Sequence, residues 1–517
     1  MDIPSNRHSL TKIIATLGPA SANEATLAEL IKTGVSVFRI NFSHGTFEEF
    51  ERMHKLVRKV SENLGRHIGV MGDLSGPKVR VGKVVEGGVT LAKGQQVKFV
   101  KPTTLTSNKG DITFSTTCPE VLDEIKPGEP ILLDDGAVRL SCVSNVGEGE
   151  TIEVTAEVSV GGLITSAKGM NLPETALTLP ALTEYDVTCL KFVVDQGFDF
   201  VSLSFVRNGT DVRQIKDRLR ELGARPQAAC VADGLPTTSF ASYGSDAFIP
   251  VISKIEKPQA IDALEEIVQE TDVIMVARGD LGVEMDLAQV PVIQKKIISE
   301  CNNQGKPVIV ATQMLQSMIS AVSATRAEVS DVANAILDGA DAVMLSGETA
   351  VGDYPVEAVR TLREVGLYTH AQRRLALNRG ALPTPPRSSK YRTAALACGV
   401  GAVLRELDAP LAAVWSSHGG GASYLSQLRL TIPIVALSED AAALRRMSIM
   451  FGIWPRSLKR PELTTGFIKE VDQLILDQSW AETGDPIVVV SGQPFGRSGL
   501  TNDLRIHYVG DHVDLHS

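Results

Sequence analysis

The sequence predicts an α/β protein: a (β/α)8 TIM barrel with an inserted small β-barrel lid domain and a C-terminal open α/β domain. Three observations predict this fold class. Eight short β-branched segments alternate with helical patterns, which indicates βαβ units in a parallel sheet that can close into a barrel. A Val-, Thr- and Gly-rich stretch interrupts them, and a Pro-rich segment precedes a second alternating region.

The predicted barrel strands are short, and several of the helices between them have recognisable starts. A Ser or Thr three residues before a Glu forms a capping box, which predicts helix starts at Ser21, Thr46 and Thr325. The predicted strands cover residues 12–16, 35–40, 68–73, 200–205, 251–255, 273–277, 308–312 and 342–345.

The spacing of these strands predicts the domain boundaries. Residues 1–73 form the first part of the barrel, and residues 177–371 form the remainder. Residues 74–176 are too many for a barrel loop and contain short alternating stretches with turn signals, so we expect an inserted β lid domain. Residues 372–517 comprise a linker, Pro-rich at 382–389, and the C-terminal domain, with strands expected at 412–415, 433–437, 487–490 and 506–508.

Composition limits the classes of partner and the compartment. The chain has 51 Lys plus Arg and 61 Asp plus Glu, and a net charge of −10 argues against nucleic-acid or anionic-membrane partners. No window is apolar over the length of a membrane helix, and the first residues lack the apolar core of a signal peptide. Six well-separated cysteines without a C-x-x-C pair are typical of reduced thiols, so we expect a cytoplasmic protein.

Polar side chains follow most of the predicted barrel strands, at the end where barrel enzymes carry their active sites. Glu256 and Asp280 are carboxylates after neighbouring strands, and such hard oxygen ligands suit Mg²⁺ or Mn²⁺. Cations that could bind a multiply charged anion lie at or just after strand ends, namely Arg39, Arg207, Lys254 and Arg278. A metal with Lys and Arg around an anion suits phosphoryl transfer or enolate stabilisation.

Simpler interpretations of the same residues stay open at this point. Lys254 and Glu256 share a strand face and could merely pair with each other. Thr312 and Gln313 could close a turn, and the glycine-rich segment 416–421 could be a flexible turn or a phosphate-binding loop. A P-loop kinase is excluded because no G-x-x-x-x-G-K-[ST] motif occurs.

Beyond these patterns, the sequence resembles the pyruvate kinase family over essentially the whole chain. The matching motifs occur in the family's order and spacing, at residues 11–21, 39–45, 254–256, 277–282, 311–314, 325–350 and 491–502. The resemblance implies an enzyme of glycolysis that transfers the phosphoryl group of phosphoenolpyruvate to ADP, giving pyruvate and ATP. It also implies an allosteric homotetramer.

The resemblance also implies roles for individual residues. Glu256 and Asp280 would hold Mg²⁺, and Lys254 would stabilise the phosphoryl group in transfer. Arg39 would hold the phosphate, while Thr312 would help bind the substrate carboxylate and steer the proton to the enolate. The remaining implied contacts are Gly279 and Asp280 for the substrate, and Asn41, His44, Arg80 and Lys168 for the nucleotide.

A potassium site is the point at which this chain departs from many relatives. The implied K⁺ ligands are present, namely Asn41, Ser43, Asp73 and the carbonyl of Leu74. Many members have a glutamate at the position of Lys78 in this chain. A lysine at this position resembles the potassium-independent branch of the family. Because a tethered ammonium can replace a monovalent cation, the hypothesis is that K⁺ is not required.

A possible effector loop and two competing functions complete the sequence-based expectations. The loop of Ser416, Ser417, Gly419 and Gly421 matches the position that binds a sugar phosphate or nucleotide effector in relatives, but it lacks Lys and Arg. The first alternative is a Mg-dependent pyruvate-enolate lyase or aldolase, which would need no nucleotide residues or lid. The second is a non-catalytic metabolite sensor, disfavoured by the intact Lys254, Glu256, Asp280 and Thr312.

Overall fold

The computed structural model describes residues 9–107, 110–175, 177–224, 248–377, 392–495 and 500–511. The chain begins with parallel strands that alternate with helices, and β-branched residues fill them because the strands are buried on both faces. These strands are β1 (Lys12–Thr16), β2 (Val35–Asn41) and β3 (Gly69–Asp73).

The region after β3 forms two antiparallel-rich sheets with an apolar core of their own, which includes the stacked rings of Phe99 and Phe114. The larger sheet has six strands in the order β11-β7-β8-β9-β5-β6. In the smaller sheet β10 pairs with β4. The strands are β4 (Val89–Leu91), β5 (Gln96–Val100), β6 (Thr113–Phe114), β7 (Pro130–Leu133), β8 (Val138–Val146), β9 (Glu153–Val160), β10 (Gly162–Ile164) and β11 (Met170–Asn171).

Five further parallel strands close the barrel, in the order β1-β16-β15-β14-β13-β12-β3-β2. Phe200 pairs with Met71 across the inserted region, and Lys12 pairs with Ala342 at the closure. The predicted fold class is therefore confirmed. These strands are β12 (Phe200–Leu203), β13 (Val251–Ile255), β14 (Val273–Ala277), β15 (Val308–Ala311) and β16 (Ala342–Leu345).

The helices of the barrel begin largely where the sequence indicates. The capping boxes at Thr46 and Thr325 are confirmed, but the one predicted at Ser21 is wrong. Asn23 caps α1 instead by accepting a hydrogen bond from the Thr26 amide at 2.9 Å. The barrel helices are α1 (Glu24–Thr33), α2 (Phe47–Asn63), α3 (Glu184–Gln196), α4 (Gly209–Glu221), α5 (Pro258–Asp262), α6 (Leu264–Glu270), α7 (Arg278–Glu284), α8 (Val290–Gln304), α9 (Arg326–Asp338), α10 (Gly347–Ala350) and α11 (Pro355–Leu377).

The C-terminal region is an open sheet in the order β19-β18-β17-β20-β21, with β21 antiparallel. The strand β19 is not predicted from the sequence; it is an edge strand that contains Pro455, and edge positions tolerate proline because its missing N–H is not needed there. Its elements are α12 (Arg392–Glu406), β17 (Ala412–Trp415), α13 (Gly420–Gln427), β18 (Ile434–Ser438), α14 (Ala441–Met447), β19 (Ile453–Ser457), α15 (Thr464–Asp477), β20 (Pro486–Ser491) and β21 (Asp503–Tyr508).

Several expectations from the sequence fall outside what the structure can test. The Pro-rich linker 382–389 lies outside the described residues, and the domain boundaries remain predictions. In the described part of the chain, none of the helices combines the length and apolar character needed to cross a membrane.

The C-terminal domain packs beneath the barrel, at the end opposite the polar strand ends. Met71 and Phe200 of the barrel belong to the same buried cluster as Leu444 and Met447 of α14. Beside this cluster Asp199 forms ion pairs with Arg58 at 2.8 Å and with Arg445 at 2.7 Å. Although burial opposes ionisation, the two guanidinium groups hold the pKa of Asp199 below its usual value. The pair with Arg445 therefore joins the barrel to the C-terminal domain, while the pair with Arg58 lies within the barrel.

We expect Asp199→Asn to lower the free energy of unfolding by about 3 kcal/mol, because the change leaves two cations without a buried anion. Urea denaturation would measure the loss. The matched control is Asp217→Asn, which removes an exposed i,i+3 ion pair with Arg220 and should cost less than about 1 kcal/mol. Equal losses in the two variants would contradict a special role for the buried pair.

Candidate active site

Lys254 lies at the centre of the polar rim formed by the carboxyl ends of the barrel strands. It is the fourth residue of β13, and its side chain is 12% exposed. Its Nζ lies 2.8 Å from Glu256 Oε1 and 3.6 Å from Asp73 Oδ1, and it donates a hydrogen bond to Ser204 Oγ at 2.9 Å. The pairing of Lys254 with Glu256 is thus present, and a second carboxylate joins it.

Asp73 connects the two cations of this rim. Its Oδ2 accepts a hydrogen bond from Arg39 Nε at 2.7 Å, and its Oδ1 accepts one from Ser202 Oγ. Burial opposes the charge of Asp73, but Lys254 and Arg39 hold its pKa below the usual value. Burial likewise disfavours the charge of Lys254, yet Asp73, Glu256 and Asp280 together raise its pKa. These carboxylates therefore favour the charged ammonium form of Lys254 in a mostly buried position.

This role of Asp73 is not predicted from the sequence, in which the residue is expected only as a K⁺ ligand. The available signal is the strand register, because Asp73 and Asn41 end neighbouring strands and are paired. Arg39 lies two residues before Asn41 and therefore shares its face. Register, however, is known only once the barrel order is known.

Two carboxylates at this rim fit a divalent cation. Glu256 is buried, and its Oε2 accepts a hydrogen bond from the Phe205 amide at 2.7 Å. Its Oε1 faces Lys254 but makes no hydrogen bond of good geometry within the described residues. Burial raises the pKa of Glu256, Lys254 opposes the rise, and Asp280 adds to it.

A cation between Glu256 and Asp280 would offset both the burial and the mutual repulsion of these carboxylates. Among the described residues no group of three or more His, Cys, Asp or Glu side chains surrounds a possible metal. Mg²⁺ is commonly held by only one or two carboxylates, with water and substrate oxygens as the other ligands. The donor set therefore fits Mg²⁺ or Mn²⁺ rather than a site closed by protein ligands.

Gly279 and Thr312 form a polar contact on the other side of the rim. The Gly279 amide donates to Thr312 Oγ1 at 2.7 Å, and Thr312 Oγ1 donates to the Ala311 carbonyl at 2.6 Å. Thr312 and Gln313 have φ values of 68° and 54°, a left-handed conformation that is costly for a β-branched residue. The turn expected for these two residues is therefore present, and it ends β15 one residue earlier than predicted.

Two of the cations expected around the anion are engaged elsewhere. Arg278 is buried, with Nη1 2.6 Å from Asp331 and Nη2 donating to the Thr312 carbonyl at 2.8 Å. Arg207 binds Asp211 and donates to the Leu177 carbonyl at 2.7 Å. The expectation that they bind the anion stays a prediction; in this structure Arg278 supports the Thr312 turn, and Arg207 holds the segment at Leu177 that follows the lid.

The residues expected near the nucleotide lie on two separate elements. Asn41 ends β2, and His44 is exposed in the loop that follows. In the lid, Arg80 donates to the Ala167 carbonyl at 2.9 Å, and Lys168 pairs with Asp134 at 2.9 Å.

The side chains expected to ligate K⁺ mostly have partners within the protein. Asn41 Oδ1 accepts from the Ser43 amide at 3.1 Å, Ser43 Oγ lies 3.1 Å from Ser75 Oγ, and the Leu74 carbonyl accepts from Ser204 Oγ at 2.7 Å. Lys78 Nζ lies 3.8 Å from Asp280 Oδ1.

The glycine-rich loop of the C-terminal domain is held by its own serines. Ser416 Oγ accepts a hydrogen bond from the Ala422 amide at 3.2 Å, and Ser417 Oγ accepts one from the Trp415 indole at 3.2 Å. Gly419 caps α13 with a φ of 99°, and a Cβ at Gly421 would lie 3.3 Å from Thr501 Oγ1. The conformation and packing of the loop are therefore sufficient to explain glycine at positions 419 and 421.

Comparisons with known proteins agree with this geometry. The family model described as pyruvate kinase, barrel domain, matches residues 8–231 and 242–359, and the model described as pyruvate kinase, alpha/beta domain, matches residues 394–507. A pyruvate kinase from Agrobacterium vitis is 38% identical over 514 residues, which cover 99% of this chain and 100% of the relative. Pyruvate kinases from Corynebacterium efficiens and Mycobacterium tuberculosis are 37% and 36% identical, each over 97% of this chain and 98% of the relative.

The matches extend through the barrel and the C-terminal domain, and they include the rim on which Lys254, Glu256 and Asp280 lie. The inserted region, residues 74–176, also falls within the matched span. The same order of parts is seen in the fold, with a closed parallel barrel, a separate set of small sheets and a C-terminal α/β sheet. The chain therefore belongs to the pyruvate kinase family.

Proposed function

We propose that this chain transfers the phosphoryl group of phosphoenolpyruvate to ADP, giving pyruvate and ATP in the last step of glycolysis. The observation that carries this proposal is a charged Lys254 held between Asp73 and Glu256, with Asp280 and Thr312 at the same rim. A fixed ammonium group in a water-poor site stabilises charge that develops on a phosphoryl group in transfer. Membership of the pyruvate kinase family supports the same reaction.

The substrate phosphate and carboxylate would bind on opposite sides of Lys254. Arg39, oriented by Asp73, would hold the phosphate, while the Gly279 amide and Thr312 hydroxyl would hold the carboxylate. Glu256 and Asp280 would hold Mg²⁺ or Mn²⁺, and the bound ion would neutralise charge on the enol and carboxylate oxygens of the substrate. Thr312 Oγ1, which bonds both Gly279 and Ala311, would steer the proton that converts the enolate to pyruvate.

The nucleotide would bind between the barrel and the lid. Asn41 and His44 would contact it from the loop after β2, and Arg80 and Lys168 from the lid. Lid closure would exclude water that could otherwise hydrolyse the phosphoryl donor. A lyase or aldolase would share Glu256, Asp280 and an Arg but would not need these nucleotide residues, so no observation favours it over a kinase.

A potassium-independent mechanism is the second part of the proposal. Lys78 lies 3.8 Å from Asp280, so its tethered charge is close to one of the proposed metal carboxylates. The side chains that could ligate K⁺ already have partners in the protein, because Asn41 accepts from the Ser43 amide, Ser43 Oγ contacts Ser75 and Asp73 binds Arg39, which lessens their need for a free cation. A lysine ammonium can supply the positive charge that a bound K⁺ would otherwise supply.

The remaining features of the proposal come from the family. The enzyme would be a cytoplasmic, allosteric homotetramer. Each chain would divide into domains after residues 73, 176 and 371. Ser416, Ser417, Gly419 and Gly421 would accept an effector phosphate through backbone amides at the start of α13, since the loop itself has no Lys or Arg. The effector would be a sugar phosphate or a nucleotide.

We expect Lys254→Met to reduce turnover by at least about 10²–10³-fold, because the charge opposite the transferring phosphoryl group is lost. A lactate-dehydrogenase-coupled assay would measure turnover, and calorimetry would show phosphoenolpyruvate binding largely retained. Lys295→Met, which removes a lysine exposed over 58% of its side chain, is the matched control and should be fully active. Near-normal turnover of Lys254→Met would refute the role assigned to Lys254.

Turnover in buffers containing only Na⁺ or tetramethylammonium tests the K⁺ proposal. We expect the unaltered enzyme to be nearly as active without K⁺ as with it, because Lys78 already supplies the charge. Lys78→Met should lose activity in Na⁺ and regain part of it on adding KCl, whereas Lys83→Met, at an exposed lid lysine, should do neither. A many-fold activation of the unaltered enzyme by KCl would contradict potassium independence.

A further inference from the structure

A buried carboxylate, Glu284, joins three elements around the proposed metal carboxylates. Glu284 ends α7, one helical turn after Asp280. Its Oε1 accepts hydrogen bonds from Lys257 Nζ at 2.6 Å and from Asn171 Nδ2 at 2.7 Å. Lys257 directly follows Glu256, and Asn171 lies in β11, the last strand of the inserted region. One oxygen atom thus binds both the end of β13 and the lid.

Because these groups are buried, their contact restricts the movement of Lys257 and Asn171 relative to Glu284. The Glu284 side chain is fully buried, the Lys257 side chain is 13% exposed, and Asn171 is 7% exposed. Glu284 Oε2 has no hydrogen-bond partner within the described residues, so both partners of the carboxylate act on a single oxygen. A buried carboxylate is strongly disfavoured unless it is paired and hydrogen-bonded, and therefore neither partner can move without a cost.

The branch through Lys257 leads to the first metal carboxylate. Lys257 Nζ also lies 5.8 Å from the centre of the Phe205 ring, and the Phe205 amide is the donor to Glu256 Oε2. Phe205 has a φ of 55°, a strained conformation that surrounding contacts must maintain. Glu284 and Asp280 are on the same short helix, α7, and Lys257 follows β13. The ion pair between Glu284 and Lys257 therefore sets how far α7, with Asp280, lies from the end of β13.

The branch through Asn171 leads to the lid. Asn171 is three residues after Lys168, and the intervening Gly169 bridges to Arg80. A bond from Asn171 to α7 therefore holds the returning lid segment, which carries a proposed nucleotide contact, against the helix that carries Asp280.

We propose that Glu284 is a positioning residue which, through Lys257, sets the spacing of Glu256 and Asp280 and, through Asn171, fixes the lid to the same helix. The inference rests on the proposed function for the meaning of the metal and nucleotide contacts. Partners that orient metal ligands commonly change metal affinity by 10–100-fold when they are removed. The two branches predict two different defects.

Mn²⁺ affinity, measured by electron paramagnetic resonance without substrates, tests the Lys257 branch independently of activity. We expect Glu284→Gln and Lys257→Met to weaken Mn²⁺ binding by about tenfold, and Lys257→Arg to restore most of it, because the charge and donor are kept. Asn171→Ala should bind Mn²⁺ nearly as the unaltered enzyme does but show a KM for ADP raised by about fivefold or more, since its lid segment is released.

Asp472→Asn is the matched control, because Asp472 is a buried carboxylate in the C-terminal domain that bonds His507 at 2.9 Å. It should lower the melting temperature without changing Mn²⁺ affinity. Unchanged Mn²⁺ affinity in both Lys257→Met and Glu284→Gln would overturn the proposal and leave Glu284 a merely structural role. An equal loss of Mn²⁺ affinity in Asn171→Ala would overturn the separation into two branches.

The same experiments distinguish this inference from the proposed function. If the unaltered protein makes no ATP from phosphoenolpyruvate and ADP, the proposed function fails, whereas the Mn²⁺ comparison still decides whether Glu284 positions the carboxylates. If Glu284→Gln does not fold, Lys257→Met with its Lys257→Arg rescue tests the metal branch, and Asn171→Ala tests the lid branch.

Discussion

The buried carboxylate of Asp73, shared between Lys254 and Arg39, is the interaction on which the rest of the site depends. Without it, Lys254 would lose one of the carboxylates that raise its pKa against the effect of burial, and Arg39 would lose the partner that fixes its guanidinium group. Asp73 is in turn held by Ser202 from β12, so four neighbouring strands, β2, β3, β12 and β13, determine where the positive charges lie. The barrel thus places two cations beside one another by placing an anion between them.

The same arrangement of opposed charges recurs outward from this centre. Glu256 faces Lys254, Asp280 faces Lys78, and Glu284 faces Lys257. The pair of Lys78 joins the lid to α7, and the pair of Lys257 joins the end of β13 to α7, so the site is assembled by alternating charges rather than by a single flexible loop. A protein with a net charge of −10 can therefore bind two anionic substrates, because its cations are concentrated and oriented at this rim.

Much of the fold could be predicted because the barrel depends on local patterns. The β-branched strands and the face shared by Lys254 and Glu256 follow from spacing alone. Partners distant in the chain could not be predicted: Arg278 binds Asp331 and the Thr312 carbonyl, which only the folded helix α9 and the strained turn bring near. For the same reason the contacts of Asp73 with Lys254 and Arg39, and those of Glu284 with Asn171, could not be predicted, since they depend on strand register and lid position. Asn23 replaced Ser21 as a helix cap because two good capping residues compete within one turn.

The charge state of Lys254 is the most direct test of this account. Trace labelling of lysines with acetic anhydride, read by mass spectrometry as a function of pH, reports when each amine loses its proton. We expect Lys254 to stay unreactive well above the pH at which an ordinary exposed lysine reacts, and Asp73→Asn to shift the labelling of Lys254 to lower pH, because a carboxylate that raises its pKa has gone. Labelling of Lys254 at the same pH in both proteins would contradict the claim that Asp73 keeps it charged.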